Sequence, residues 1–324
     1  MISRTKQGMA VVVFLFTCLI GPHISSAQKS DNPRKSEDPQ LHSRGDPSGM
    51  AASASPARGP IENWIPEDVD RSVPPVAPGV ACSLPAVLEG AGQRIKELMQ
   101  NVDRFTATEV LLHQEFDHSG RASRAVTVKF DYLVSITQER DGLLGVDELR
   151  DRSHSLDRFP SHIATTGTPS LVLIFHPQYI NDFRTQCEGL GEWHGQSAWQ
   201  VRFEQRTDRP GHICSFIVGG KMYNVNLRGR AWILADSFQV ARLEADIMES
   251  VPDIRLLRNH ENIEYRPVNS STSDLQLWLP ASTELYMDFR GHRYYRKHWF
   301  TDFKIFSVDM QYQLGNPKEN VEIQ

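Results

Sequence analysis

The chain has 324 residues, of which 40% are hydrophobic and 23% are charged, and its formal net charge is −5. Without the first 27 residues it carries 33 basic and 40 acidic residues, a net charge of −7. This acidic balance argues against a general nucleic-acid binder and against an anionic-membrane binder, because both need a basic face.

The N-terminus has the three parts of a secretory signal peptide. Arg4 and Lys6 precede an uncharged apolar run of twelve residues, 9–20, and the small residues 25–27 form a cleavage site. A membrane-spanning helix needs roughly 20 apolar residues. We therefore expect cleavage after Ala27 and a periplasmic or secreted protein, with an uncleaved N-terminal anchor as the alternative. No later segment is apolar enough to span a bilayer.

Residues 28–81 differ in composition from the rest of the chain. They hold nine of the nineteen prolines and few large apolar residues, so they cannot bury enough surface to offset the entropy of ordering. We predict a disordered spacer there. Its one apolar piece, residues 61–66, is a candidate for docking on the domain or on a partner.

Two helices are predicted in the domain that follows, residues 82–312. Apolar residues recur at helical spacing from Leu84 to Val102, with Ser83 as the N-cap. A second, short helix begins at Thr168-Pro169 and continues to Phe175, where Pro177 ends it. The last residues, 313–324, are expected to form a flexible tail.

Nearly all other segments alternate as strands do. The alternation is clear in 198–204, 275–279 and 285–289, and the long segment 293–308 is aromatic on both faces, with Tyr295, Trp299 and Phe303 expected on one side. Turn signals separate the runs, at 117–120, 141–142, 219–220 and 290–292. The pattern predicts a mainly β (α+β) fold, an antiparallel sheet of ten or eleven strands without helical crossovers.

Three cysteines remain after signal cleavage: Cys82, Cys187 and Cys214. An odd number is not a disulfide scaffold. If the strands near Cys187 and Cys214 flank strand 197–206, the two residues are about 9 to 10 Å apart. A disulfide needs Cα atoms within about 7 Å, so we expect Cys187 and Cys214 to be buried packing thiols.

No motif for metal, nucleotide or nucleophilic chemistry is present. His113 and His118 would face opposite sides of a strand, and His292 and His298 would lie about 20 Å apart on a shared face. We interpret the histidines as solvated or turn residues. The glycines of 189–195 miss the dinucleotide spacing, and no nucleophile elbow occurs. We therefore predict a protein that is not an enzyme and has no metal or cofactor, with a catalytic site dispersed over distant loops as a minor alternative.

Large apolar side chains recur on successive strands and are predicted to share one face. They form either an ordinary hydrophobic core or a concave wall that binds a hydrophobic ligand. The candidate ligand-binding residues are Phe203, Trp232, Leu277, Leu285, Met287, Phe289 and Trp299.

Four runs carry a resemblance to a known fold: 193–203, 229–233, 238–244 and 277–280. They match a glycine hairpin into an alternating strand, a G-x-x-W-I strand with its return, and a W-L-P turn. In these runs the chain resembles periplasmic lipoprotein carriers and outer-membrane lipoprotein-sorting proteins, and a group of uncharacterised exported bacterial proteins. The resemblance implies an unclosed β half-barrel whose concave side is plugged by helices, with a hydrophobic ligand held between them.

Two functions follow as hypotheses. The first is a non-enzymatic exported envelope protein that binds a lipid, a lipoprotein or another hydrophobic ligand. A concave face filled by the protein's own side chains would count against it. The alternative is a protein–protein interaction module of the cell envelope, with a closed core and a partner-binding patch that includes Trp64 and Ile65.

Overall fold

The computed structural model describes residues 59–71, 73–138, 144–150, 168–209, 211–218, 220–269 and 276–306. The predicted signal peptide, the turn at 141–142 and the tail 313–324 lie outside these ranges. The described residues from Pro60 onward belong to one compact unit.

A ten-stranded antiparallel sheet dominates this unit. The order across it is β3-β2-β1-β12-β11-β10-β9-β8-β5-β4, and β6 and β7 pair separately as a hairpin. The strands are β1 (Arg104–Phe116), β2 (Val126–Gln138), β3 (Leu144–Arg150), β4 (Phe183–Trp193), β5 (Gln196–Gln205), β6 (Ser215–Val218), β7 (Lys221–Asn224), β8 (Leu227–Leu234), β9 (Val240–Ile247), β10 (Leu256–Asn269), β11 (Gln276–Phe289) and β12 (His292–Phe306). Because β3 and β4 do not pair with each other, the sheet is an unclosed half-barrel, which confirms the predicted fold class.

The predicted helices also form. Helix α1 is Leu84–Asn101, and it buries Val87, Ala91, Ile95 and Leu98 along one stripe. Ser83 occupies the N-cap position, although its side chain makes no capping hydrogen bond. The second helix, Thr168–Phe175, is a 3-10 helix whose eight side chains are all buried. Two single-turn 3-10 helices, Ile180–Asp182 and Pro252–Ile254, complete the helical elements of the described residues.

The main core lies between one face of the sheet and the two longer helices. We call this face the inner face and the opposite face the outer face. Alternation places Val201 and Phe203 of β5 on the inner face, where the ring of Phe203 meets Phe175 of the 3-10 helix at a centroid distance of 6.0 Å. Small aromatic and aliphatic clusters on the outer face contain Leu112, Tyr286 and Tyr295, and separately Ala198, Trp232 and Leu234.

Residues 60–71 and 73–81, which belong to the segment predicted as a spacer, pack on the outer face. We call residues 60–81, without residue 72, the strap. Ile61 exchanges two backbone hydrogen bonds with the side chain of Gln114, at 3.0 and 3.1 Å, and the indole of Trp64 donates to the carbonyl of Tyr294 at 2.9 Å. Val69 is buried. The apolar piece 61–66, the predicted docking candidate, therefore contacts the domain through Ile61 and Trp64. The burial of Val69 was not predicted.

Acidic residues of the strap pair with arginines of the outer face. Asp70 lies 2.7 Å from Arg202 and 3.1 Å from Arg228, and the backbone N–H of Val69 donates to Asp246 at 3.3 Å. At the sheet edge the N–H of Ala77 donates to a carbonyl of β4 at 2.7 Å. The strap therefore crosses the sheet from β1 and β12 to β4.

The expectation that Cys187 is an unpaired packing thiol is wrong. Cys187 on β4 is bonded to Cys82, the second residue before α1, and Cys214 is the free cysteine. The excluded Cys187–Cys214 bridge is indeed not formed, although its premise fails, because β8 and not the segment of Cys214 flanks β5. The pairing of Cys82 with Cys187 joins residues that are 105 positions apart in the sequence. No local sequence pattern predicts such a pairing.

A bulge near the end of β12 changes the facing of its aromatic residues. Asp302 has a positive φ of 54°, and the register with β1 shifts beside it. As a result Trp299 packs in an outer-face cluster while Phe303 packs against the inner core. The prediction that Tyr295, Trp299 and Phe303 share one side is therefore wrong for Phe303.

Candidate functional site

Two crevices lie beneath the C-terminal half of α1. Their volumes are about 20 and 10 Å³, and both are lined by Leu98 of α1, Val172 of the 3-10 helix, Tyr265 of β10 and Trp278 of β11. The hydroxyl of Tyr265 is buried there without a hydrogen-bond partner. These crevices are the places where helix and sheet leave space in this part of the inner face.

The N-terminal half of α1 packs much more closely. A side chain at Gly90 would overlap the ring of Phe238, and one at Gly92 would come within 3.2 to 3.4 Å of Phe175 and Pro177. The disulfide at Cys82 adds a covalent link at the same end. The two crevices therefore lie beside the half of α1 that is less tightly packed.

Five of the seven predicted ligand-binding residues lie on the inner face. Phe203, Leu277, Leu285 and Met287 are buried in the main core, and Phe289 packs against it. Only Leu277 lines a crevice. In the described residues the inner face is thus filled by the protein's own side chains, which is the arrangement that counts against an open ligand cavity.

Trp232 and Trp299 lie on the outer face, so the prediction that all seven share one face is wrong for these two. Trp232 packs in the cluster with Trp193, under the guanidinium of Arg242 at 4.5 Å from its ring centroid. On the inner face of β8, a side chain at Gly229 would overlap the ring of Phe203. Trp232 has the opposite parity to Ala231 and Ile233, which pack in the inner core, so its side chain lies on the outer face.

The polar part of the inner face centres on Glu109 of β1. Its carboxylate accepts two hydrogen bonds from Arg150 of β3, at 2.5 and 2.9 Å, and faces Nδ1 of His298 on β12 at 2.6 Å. Glu109 has no exposed surface and His298 is 1% exposed. Such a water-excluded group of charges needs close pairing to be tolerated.

The pKa values of this group follow from burial and pairing. Burial alone would raise the pKa of Glu109, but Arg150 and the hydrogen bond from His298 outweigh it and lower that pKa to about 2. Burial lowers the pKa of His298 despite the adjacent carboxylate. Glu109 is therefore an anion at neutral pH, and His298 is a neutral ring whose Nδ1 carries the hydrogen, because a carboxylate only accepts.

The polar group continues along β3 and β12. Arg150 lies 3.5 Å from Glu148, which accepts a hydrogen bond of 2.7 Å from the hydroxyl of Tyr132. On the other side the guanidinium of Arg296 donates to Nδ1 of His113 at 3.1 Å. The smaller crevice adjoins the polar group. Val146 lines this crevice, and it lies on the same face of β3 as Glu148, two residues earlier in the strand.

Four polar atoms at the end of this group are buried without a hydrogen-bond partner. They are Oδ1 of Asn259, Oε2 of Glu261, Oγ1 of Thr283 and Nε2 of His298. The residues lie on the neighbouring strands β10, β11 and β12, and Thr283 is directly opposite His298 in the register. Burial first, with Glu148 adding to it, raises the pKa of Glu261 to about 7 against the hydrogen bond from Asn259.

Sequence reasoning missed this group entirely. His113 and His298 were interpreted as solvated or turn residues, and both are buried, as is His260 on the outer face beside Asp246. The signal that was available is alternation: Glu109, Leu111 and His113 have the parity of the core residues of β1. Charged residues at core positions are a mark of a functional or paired group.

Within the described ranges no three or more His, Cys, Asp or Glu side chains are grouped for a metal ion. Nor does any helix there have the length and apolar character that crossing a membrane requires.

The fold and site define an antiparallel half-barrel, plugged by α1 and a 3-10 helix, with an apolar and an ionic part on its inner face. Neither a protein-family model nor a curated protein matches the chain. A solved structure of a DUF1329 family protein from Desulfovibrio piger is similar at 9% identity and a TM-score of 0.40, over 69% of this chain and 94% of that one.

A second similar structure is a domain from Vibrio parahaemolyticus that is named for outer membrane lipoprotein sorting. Its identity is 10% and its TM-score 0.34, over 71% of this chain and 94% of that one. The weak resemblance found in the sequence thus has a weak counterpart among solved structures. Both TM-scores lie below 0.5.

Proposed function

We propose that the protein is a non-enzymatic exported protein of the cell envelope that binds a lipid, a lipoprotein acyl chain or another hydrophobic ligand between α1 and strands β10 and β11. The observation that carries the proposal is the convergence of both crevices on Leu98, Val172, Tyr265 and Trp278. An apolar floor, a covering helix and residual space coincide there.

The ligand must create most of its own room. Pockets for ligands of drug size have volumes of about 300 to 1,000 Å³, far above the 20 and 10 Å³ of the two crevices. Leu98 and Met99 are the side chains of α1 that the ligand displaces, because the Gly90 and Gly92 contacts hold the other half of the helix.

Native mass spectrometry with lipid extraction, on the full chain purified from the compartment to which it is exported, is the first test. We expect co-purified lipid or acylated peptide, and binding of a fluorescent fatty acid by the delipidated protein. Met99→Trp fills a crevice and should weaken that binding about tenfold, or about 1.4 kcal/mol. Lys96→Trp, on the exposed side of α1, is the matched control. A protein that neither carries lipid nor binds the fatty acid contradicts the proposal.

A second candidate function is a protein–protein interaction module of the envelope. It is favoured by the filled inner face and by a row of exposed apolar residues on the strap, Ile65, Val73, Val76 and Val80. Under this function, purified partner complexes are lost when Ile65 and Val73 are both changed to Ser, and fatty-acid binding is absent in every variant. The two functions therefore give opposite results for the same pair of measurements.

A further inference from the structure

Of the four unpartnered polar atoms at the end of the ionic group, three are hydrogen-bond acceptors. Nδ1 of His298 is used by Glu109, so Nε2 of the neutral ring accepts. Oδ1 of Asn259 accepts because the amide nitrogen of the same residue already donates to Oε1 of Glu261 at 3.1 Å. Oε2 of Glu261 accepts whenever this carboxyl is ionised, and the Thr283 hydroxyl can do either.

The charges of the surrounding group leave Glu261 without a counterion. Glu109 and Glu148 are both within 3.5 Å of Arg150. Glu261 is 7% exposed, and none of the ion pairs of the described residues includes it. A buried carboxyl without a cationic partner is costly in its charged form.

The strand register places the four residues on one face of three neighbouring strands, β10, β11 and β12. On β10, Asn259 and Glu261 lie on the same face, and Glu261 is opposite Leu285 of β11. Thr283 is two residues from Leu285, hence diagonal to Glu261, and it faces His298 across the next strand pair. Diagonal neighbours of this kind lie about 7 to 8 Å apart, so one small polar group placed between the two side chains would reach both.

We propose that Glu261, Thr283, His298 and Asn259 bind a primary ammonium group, the polar end of a hydrophobic ligand. An ammonium group has three N–H donors and one positive charge, which match the three acceptors and the unpaired carboxyl. An anionic headgroup is disfavoured, because acceptors and a carboxyl would face it. The proposal rests on the proposed function, and it names the class of ligand: an amphiphile with a free amine.

The apolar crevices lie at a suitable distance from this amine site. Tyr265, which lines both crevices, is four residues beyond Glu261 on β10, or about 13 Å along the strand at ~3.3 Å per residue. A medium-length alkyl chain spans that distance. One ligand can therefore place its chain under α1 and its amine beside Glu261.

The test uses alkyl probes that share one chain and differ only in the head: n-decylammonium, n-decanol and n-decyltrimethylammonium. Binding to the delipidated full chain is measured by calorimetry at pH 8. We expect the wild type to bind decylammonium at least about tenfold more tightly than the other two, because a buried charge pair loses at least this much when one partner is absent. The trimethyl probe keeps the charge but has no N–H donor.

Variants assign the preference to the site. Glu261→Gln should bind decylammonium and decanol equally, and Thr283→Val should lose part of the preference while keeping the fold. Glu264→Gln, three residues away on the opposite face of β10, should behave as the wild type. Equal binding of all three probes by the wild type, or a preference that survives Glu261→Gln, overturns the amine site while leaving alkyl-chain binding intact. Absence of binding for every probe instead overturns the proposed function itself.

Discussion

Cys82 and Cys187 are joined by a disulfide bond, which links the start of α1 to the edge strand β4. The bond closes a loop of 105 residues, and this loop contains α1, strands β1 to β3 and the 3-10 helix Thr168–Phe175. The strap ends and α1 begins next to Cys82. The disulfide bond therefore fixes the place where the chain passes from the outer face to the inner face of the sheet. A structural disulfide of this kind suits an oxidising compartment.

Loss of this disulfide should destabilise the protein strongly. We expect Cys82→Ser together with Cys187→Ser to lower the free energy of unfolding by about 4 to 5 kcal/mol, because a cross-linked loop of about 100 residues removes that much chain entropy from the unfolded state. Urea unfolding with and without reductant measures the effect.

Cys214→Ala provides the control for that experiment, since Cys214 is the free cysteine. Its stability should still depend on reductant, whereas the double variant should not respond to reductant. A double variant as stable as the oxidised wild type would show that the disulfide has no structural role.

Anchoring of the strap should depend on Trp64 and not on its neighbour. Trp64 donates a hydrogen bond to β12, packs edge-on against Tyr286 at 6.4 Å and lies under the guanidinium of Arg293. Trp64→Ala should therefore cost about 2 kcal/mol, less than a fully buried tryptophan because the side chain is half-buried. Ile65 is 72% exposed, so Ile65→Ala should change the free energy of unfolding by less than about 0.5 kcal/mol. Equal effects of the two changes would mean that the strap is not held where the structure places it.

Much of the fold was predictable because local patterns determine it. Helical spacing from Leu84, the Thr168-Pro169 start and the alternation of residues 198–204 each reflect one element and its immediate burial. The hairpin turns between successive strands then make an antiparallel sheet almost obligatory. These features need no knowledge of distant contacts.

The remaining features depend on contacts between distant segments. The facing of Phe303 depends on a bulge at Asp302, and the facing of Trp232 depends on which face of β8 is turned towards the helices. The pairing of Cys82 with Cys187 depends on the path of the strap. The ionic group joins Glu109 to Arg150 and His298, which are 41 and 189 residues away, and no short motif encodes such a group.

The ionic group should be essential for stability near neutral pH. Glu109→Gln removes the carboxylate between Arg150 and His298 and leaves Arg150 with Glu148 as its acidic partner, and removal of one partner of a buried pair costs about 3 to 5 kcal/mol. Glu115→Gln is the control, because Glu115 is on the same face of β1 but its side chain is 40% exposed, and its loss should cost under about 1 kcal/mol. Thermal or urea unfolding at pH 7 compares them, and equal costs would refute the structural role of the buried pair.

The same carboxylate makes stability sensitive to acid. The pKa of Glu109 is lowered to about 2 in the folded protein, below its value in the unfolded chain, so its contribution is present above about pH 4.5 and is lost as the pH falls towards 2. We expect the stability difference between wild type and Glu109→Gln to shrink over this range. A difference that stays constant from pH 5 to pH 3 would show that Glu109 is not paired as described.

Glu261 should give the opposite dependence at higher pH. Its pKa is raised to about 7 in the folded protein, so the folded state holds the proton more tightly than the unfolded state does, and stability falls as the pH rises from about 4.5 to 7. The full difference is about 3 kcal/mol. The titratable groups that interact with Glu261 are Glu148, His260, Cys214 and Tyr265, and they are common to wild type and variant.

Glu261→Gln removes this dependence, so the measurement is the difference in unfolding free energy between wild type and variant at pH 5, 6, 7 and 8. We expect the wild type to lose stability relative to the variant from pH 5 to 7, with little further change above pH 7.5. Glu264→Gln, on the opposite face of β10, should run parallel to the wild type throughout. Because ionised Glu261 is the form that pairs with a cation, decylammonium should restore the lost stability at pH 8 in the wild type and not in Glu261→Gln. Parallel pH curves for wild type and Glu261→Gln would mean that this carboxyl is solvated or paired in the folded protein, and no amine would then be needed beside it.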